Sequence, residues 1–144
     1  MVDFDKTVET LKQVSLFKNL NKRQLNDMAR MMIERQCAAG EVIVPQGRDG
    51  YGFFILVSGH AEAVLEQADG TKAVVNTFDP GDFFGELALL DGGPRTASVV
   101  ATEPTLCLIL PHESFMSILK RDSEIAIAIL QELTRRFRAT LSTL

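Results

Sequence analysis

The sequence is poor in the residues that build metal centres. Two cysteines and two histidines occur in 144 residues. Cys37 and Cys107 stand seventy positions apart, and His60 and His112 are also far apart, so no metal-ligand spacing exists and no metal site is expected. Each cysteine lies in or near an apolar segment and reads as a small buried hydrophobe. A basic surplus is missing too. The net charge is −4, which argues against a broad phosphate-binding face for DNA or RNA. One small anion held by one or two local cations stays compatible with it. No apolar run reaches the length of a membrane span. Met1 to Thr10 is charged and has no signal-peptide core. The expectation is a cytoplasmic chain of one domain, large enough to fold without disulfides or structural metal.

What is present changes rhythm along the chain. Val8, Leu11, Val14 and Leu16-Phe17 recur at helical spacing. Asn21-Lys-Arg-Gln24 fits a capping box, and Leu25, Met28, Ala29 and Met32 continue a second helix that should fray before Ala39-Gly40. From about Glu41 short apolar runs alternate with turn residues: Glu41–Val44, Gly52–Ser58, Ala61–Glu66, Lys72–Phe78, Ala97–Thr102 and Thr105–Leu110. Asp69-Gly70 between two such runs signals a hairpin. Short strands with regular Gly and Pro breaks predict an antiparallel sandwich or roll. After Pro111 helical spacing returns at Phe115, Ile118 and Leu119. A longer helix starts at about Ser123, with Leu130, Phe137 and Leu144 seven apart and Leu133 between, a short coiled-coil-like seam. The whole chain, 1–144, reads as one unit: helices over 1–39, a roll over 40–111, and helices over 112–144.

The chemistry is concentrated in 83–98, from Phe83-Phe84-Gly85-Glu86 to Pro94-Arg95-Thr96-Ala97-Ser98. Gly85 opens a helix-compatible run, Glu86 to Leu90, where a glycine admits a ligand close to the backbone. The first amides of a short helix lack intrahelical partners and suit a phosphate. Arg95 returns after a Gly-Gly-Pro turn and adds a charge-assisted donor. Glu86 is an acceptor for a sugar hydroxyl. Together they suggest a ligand with both phosphate and ribose. On the residues alone a second reading stands beside this one: Leu87, Leu89 and Leu90 cap the roll, and Glu86 and Arg95 form a structural ion pair.

Phe84-Gly85-Glu86-Leu87-Ala88-Leu89-Leu90 followed by Pro94-Arg95-Thr96-Ala97-Ser98 resembles the phosphate-binding cassette of the cyclic nucleotide-binding domain family. Ser58-Gly59 and Asp79-Pro80-Gly81-Asp82 resemble that family's flanking turns. The resemblance implies an α+β, mainly β fold: an antiparallel β-roll, or jelly roll, with N-terminal helices and a C-terminal lid helix. It implies that Glu86 accepts from the ribose 2′-hydroxyl, that Gly85 brings its backbone to the sugar, and that Arg95 meets the exocyclic phosphate oxygens. The amides of Ala88 and Thr96 would complete the cradle, with Leu87 and Ala97 beside them, and Leu87 and Leu89 would repack against the lid. Thr96 bears on the base, because a hydroxyl there can bond guanine; the balance leans to cAMP, with cGMP as a second ligand. Arg136 falls where some relatives place a base-capping residue, and the rival reading makes Arg135, Arg136 and Arg138 a solvated face.

The function implied is a cyclic nucleotide sensor without enzymatic activity or cofactor, binding cAMP or cGMP and reporting through its C-terminal helix. The alternative is the effector half of a transcription factor similar to the catabolite activator, without its DNA-binding part. No nucleic-acid binding by this chain alone is expected, and a homodimer through the last helix is. An enzyme on a similar roll would need a His/Glu metal cluster, a clustered nucleophile or a Walker motif, and the sequence has none of these.

Overall fold

The computed structural model describes residues 3–47, 52–91 and 96–143. They form two compact units, Met32–His112 and the pair of segments Met1–Met31 with Glu113–Leu144. In the first unit all strand pairs are antiparallel. The strands are β1 (Ile33–Cys37), β2 (Val42–Val44), β3 (Gly52–Ser58), β4 (Ala61–Glu66), β5 (Lys72–Phe78), β6 (Phe83–Phe84), β7 (Ser98–Ala101) and β8 (Thr105–Pro111). One sheet has the order β1-β8-β3-β6 and the other β2-β7-β4-β5. Both sheets feed one apolar cluster. Cys37, Phe54, Leu56, Cys107 and Ile109 come from the first, and Ile43, Val44, Ala61, Ala63, Phe78, Val99 and Ala101 from the second. A sheet face must bury its apolar side against another layer, and these two cover each other. This is the antiparallel roll that the spacing of short strands predicts. Both cysteines are buried free thiols, and burial pushes Cys107 up to about 12.

The hairpin at Asp69-Gly70 is present. Gln67 N–H donates to Thr71 O at 2.8 Å, Gly70 N–H donates to Gln67 O at 2.9 Å, and Gly70 takes the left-handed φ of 86° that the turn requires.

Two strands differ from the sequence reading. The helix α2 (Lys22–Arg30) stops well before Ala39, and Ile33–Cys37 is a strand instead. Pairing with β8, from Ile33 opposite Ile109 to Cys37 opposite Thr105, satisfies its backbone. Of its side chains only Cys37 is buried, so no alternating apolar signal existed to announce it. The strand β6 is two residues long, below what alternation can reveal.

The helical unit contains α1 (Phe4–Gln13), a 3-10 turn (Ser15–Phe17), α2, most of α4 (His112–Arg121) and α5 (Ser123–Leu141). Asp3 caps α1 by accepting from the amides of Asp5 and Lys6. The capping box at α2 is complete: Gln24 N–H donates to Asn21 Oδ1 at 2.8 Å, and Asn21 N–H to Gln24 Oε1 at 2.9 Å. Asp122 caps α5. Phe17 packs on Phe115 with ring centroids 6.0 Å apart. The buried face of α5 is Ile125, Ile129 and Glu132, a spacing of four then three that keeps all three on one side.

Glu132 is a carboxylate in an apolar position. Its side chain is fully buried. Arg135 donates to it through Nε at 2.6 Å and Nη2 at 2.9 Å. Ser15 of the 3-10 turn donates its hydroxyl at 3.0 Å. Lys18 Nζ and Arg136 Nε lie 4.0 and 3.7 Å away. The Arg135 bonds, reinforced by Ser15 and Lys18, outweigh burial and hold the carboxyl down to about 2 from an ordinary 4.5. A carboxyl depressed in the folded state contributes stability that is fully present above its unfolded value and is lost as pH falls through the folded one. Thermal unfolding followed by helical circular dichroism should therefore weaken between pH 4.5 and pH 2. The variant Glu132→Gln should be less stable at neutral pH, and its acid limb should be flatter. An identical acid limb in the two proteins would refute this role for Glu132.

Candidate functional site

The segment that enters the site is held from behind. The turn Asp79–Asp82 closes on itself, with Asp79 N–H donating to Asp82 Oδ2 at 2.8 Å and Asp82 N–H to Asp79 O at 2.9 Å. It is tied to β3 by two further bonds: Gly81 N–H to Leu56 O at 2.8 Å, and Leu56 N–H to Asp82 O at 2.9 Å. These meet β3 where its pairing with β8 shifts register, between Leu56 and Ser58. Next, Phe83 and Phe84 pair with Ile55 and Phe54. The Phe84 ring lies parallel on Phe54, centroids 4.9 Å apart, and is tilted against Phe78 at the same separation. Phe83 rests against Phe53 at 5.6 Å. An open hollow of about 320 Å³ lies beside this strand, lined by Asn76, Thr77, Phe78, Gly81, Asp82 and Phe83.

From this anchored pair the chain turns into α3 (Glu86–Asp91). Gly85 makes the turn with φ 86°, a left-handed backbone that other residues reach only at a cost. The first helical bond comes next, Leu89 N–H to Gly85 O at 3.1 Å. Gly85 and Glu86 are half-buried, and Leu89 is fully buried. The helix is present over the residues that the sequence marks for it. After the turn, Thr96 is exposed and Ala97 half-buried. Ser98 then begins β7, its hydroxyl accepting from Gln46 N–H at 2.8 Å. Ala97 and Phe84 pack on the same apolar cluster, so both ends of the segment are seated on one core.

Arg95 lies outside the described residues, as do the side chains of Leu87 and Ala88. Arg136 belongs to α5 in the helical unit. There it is half-buried beside Glu132, which corrects the picture of Arg135, Arg136 and Arg138 as a uniformly solvated face: an arginine pairs with a buried carboxylate because neither charge is well solvated alone. Among the described residues no group of His, Cys, Asp or Glu is placed to hold a metal ion.

Two residues of consequence escaped the sequence reading. Glu132 had a signal, since arginines three and four positions later fall on its helix face. His112 had none: it is a lone histidine after a proline. Its Nδ1 lies 2.6 Å from the carbonyl oxygen of Leu89 in α3.

The left-handed backbone at Gly85 is open to test. Gly85→Ala should lower stability by about 1–2 kcal/mol, the usual cost of forcing an L-residue into that region. Denaturant unfolding reads the loss, and an unchanged midpoint would show that the turn relaxes at no cost.

The comparisons with known proteins agree on one family. A family model described as "Cyclic nucleotide-binding domain" matches residues 34–122. The chain is 40% identical over 104 residues to a cAMP-dependent protein kinase regulatory subunit of Yarrowia lipolytica, covering 72% of this chain and 26% of that protein. It thus spans about a quarter of that relative's length. Among solved structures it resembles the N-terminal domain of a transcriptional regulator from Streptomyces coelicolor A3(2), with TM-score 0.83, 29% identity, and 91% and 94% of the two chains covered. It also resembles the regulatory domain of Toxoplasma gondii PKA crystallised with cAMP, with TM-score 0.74, 31% identity, and 82% and 46% covered. A family match across more than half of the chain, on a roll that carries the glycine-glutamate helix, shows that the chain belongs to the cyclic nucleotide-binding domain family.

Proposed function

We propose that the chain, 1–144, is a single non-catalytic regulatory domain that binds cAMP, with cGMP as a second ligand, and couples binding to movement of α5. The observation that carries this reading is the Gly85–Glu86 corner, anchored through Phe84 and leading directly into α3. A rigid corner presents backbone and carboxylate together, which is what recognition of a ribose joined to a cyclic phosphate requires. The cAMP in the Toxoplasma gondii PKA structure supports the same ligand class.

In this reading Glu86 accepts from the ribose 2′-hydroxyl and Gly85 lets the sugar approach the backbone. The amides of Ala88 and Thr96 and the guanidinium of Arg95 meet the phosphate, with Leu87 and Ala97 alongside. Arg136 caps the base. The described helices include none long and apolar enough to cross a membrane, and we place the domain in the cytoplasm. Binding moves α5 only by as much as the ligand prefers one of its positions.

Calorimetric titration with cAMP, cGMP and 5′-AMP tests the proposal. Saturable heat is expected with the cyclic nucleotides and not with 5′-AMP, and no heat with either cyclic nucleotide at millimolar concentration would refute it. Within it, Arg95→Ala should weaken binding more than Glu86→Ala. Arg95 meets a full charge, and truncating a buried charge-assisted contact costs about 2–5 kcal/mol. Wild-type affinity in Arg95→Ala would contradict the assigned role.

A second reading, the effector and dimerisation part of a transcription factor, is favoured by α5. Leu130 and Phe137 are each 62% exposed, and Ile127 and Leu141 are exposed on the same helix. Positions 127, 130, 137 and 141 fit a heptad seam, with Thr134 between. This revises the seam read from the sequence: Leu133 is half-buried and turns elsewhere, and Leu144 lies outside the described residues. Exposed apolar stripes of this kind mark interaction sites, and a second copy of α5 matches the seam. Sedimentation should give a dimer for the wild type. The double variant Leu130→Glu/Phe137→Glu should raise its dissociation constant by roughly thirtyfold or more. A wild type that is monomeric at micromolar concentrations with and without nucleotide would exclude the dimer.

A further inference from the structure

The helix α3 spans six residues, Glu86–Asp91. Leu89 is fully buried, so its carbonyl has no recourse to water. It accepts a bond from His112 Nδ1 at 2.6 Å. A carbonyl oxygen only accepts, so Nδ1 carries the proton. His112 stands at a junction. Pro111 before it ends β8, paired with Gly52 of β3, while His112 itself opens α4. One side chain therefore reaches the segment that carries Gly85 and Glu86, and its own backbone starts the next helix.

We propose that His112 is a positioning residue for the nucleotide site: it holds α3 in place and hands a ligand-driven shift of α3 to the first turn of α4. The trigger rests on the cyclic nucleotide reading; the bond does not. Truncating the side chain to a methyl group removes the donor that meets this buried carbonyl.

Hydrogen exchange on the full chain, with and without cAMP, tests this in wild type, His112→Ala and His112→Asn. Without ligand, His112→Ala should speed exchange of the Leu89–Asp91 amides roughly two- to tenfold. His112→Asn, which keeps a side-chain N–H donor, should restore it. With cAMP, wild type and His112→Asn should gain protection in both α3 and the first turns of α4, and His112→Ala in α3 alone. A merely structural histidine would not separate the two helices in this way. Wild-type protection of α4 in His112→Ala overturns the relay, and wild-type α3 exchange in the ligand-free variant overturns the positioning role. If the wild type gives no heat with cAMP, the cyclic nucleotide reading falls, while the ligand-free α3 exchange of His112→Ala still decides whether His112 positions α3.

Discussion

Two residues are too few to hold a strand, and β6 is two residues long. It stays in place because Phe84 lies flat on Phe54 and against Phe78, packed on the cluster that both sheets share. Aromatic pairs bury large areas and resist rotation, so this stack is the fixed point from which the Gly85–Glu86 corner is built. Gly85 turns the chain immediately after it, and Glu86 begins α3 one residue later. Freed from Phe54, that corner would be a loop with no defined direction. The polar geometry of the site is thus inherited from an apolar contact behind it, reinforced by the bonds from the Asp79–Asp82 turn to Leu56.

The helical unit solves a different problem. Its segments are separated in sequence by the whole roll, and loop closure over such a distance must be offset by contacts formed at the end. Phe17 against Phe115 contributes apolar burial. Glu132 contributes direction, because α5 cannot rotate about its axis without breaking the bond that the carboxylate accepts from Ser15 on another segment. A buried charge is weak evidence for added stability, but a leucine at 132 would tolerate neighbouring registers that the carboxylate rejects. The cost of burying Glu132 is met by the arginine on its own helix, which arrives already ordered by the helix.

Legibility in the sequence depends on where each feature finds its partners. The strands β3, β4 and β5 begin and end where the apolar runs and turn residues place them, since local pattern and tertiary pairing agree there. The α2 capping box was legible for the same reason: its bonds run between neighbours in sequence. The Gly85–Glu86 corner was readable because glycine is the residue a left-handed turn asks for. β1 was not, because its backbone is satisfied by β8, some seventy positions away, while its exposed side chains carry no alternation. On α5, heptad spacing picks out Leu130 and Phe137, which are exposed, but which of Leu133, Ile127 or Leu141 shares their exposure depends on the direction of the buried face, and Ile125, Ile129 and Glu132 define that face only once the helix is packed. His112 shows where the limit lies. A single histidine has no pattern, and its meaning comes from the carbonyl it meets. That carbonyl lies on α3, twenty-three positions earlier in the chain. Contacts made by a single side chain across the fold leave no periodic trace, so they are the ones a sequence conceals.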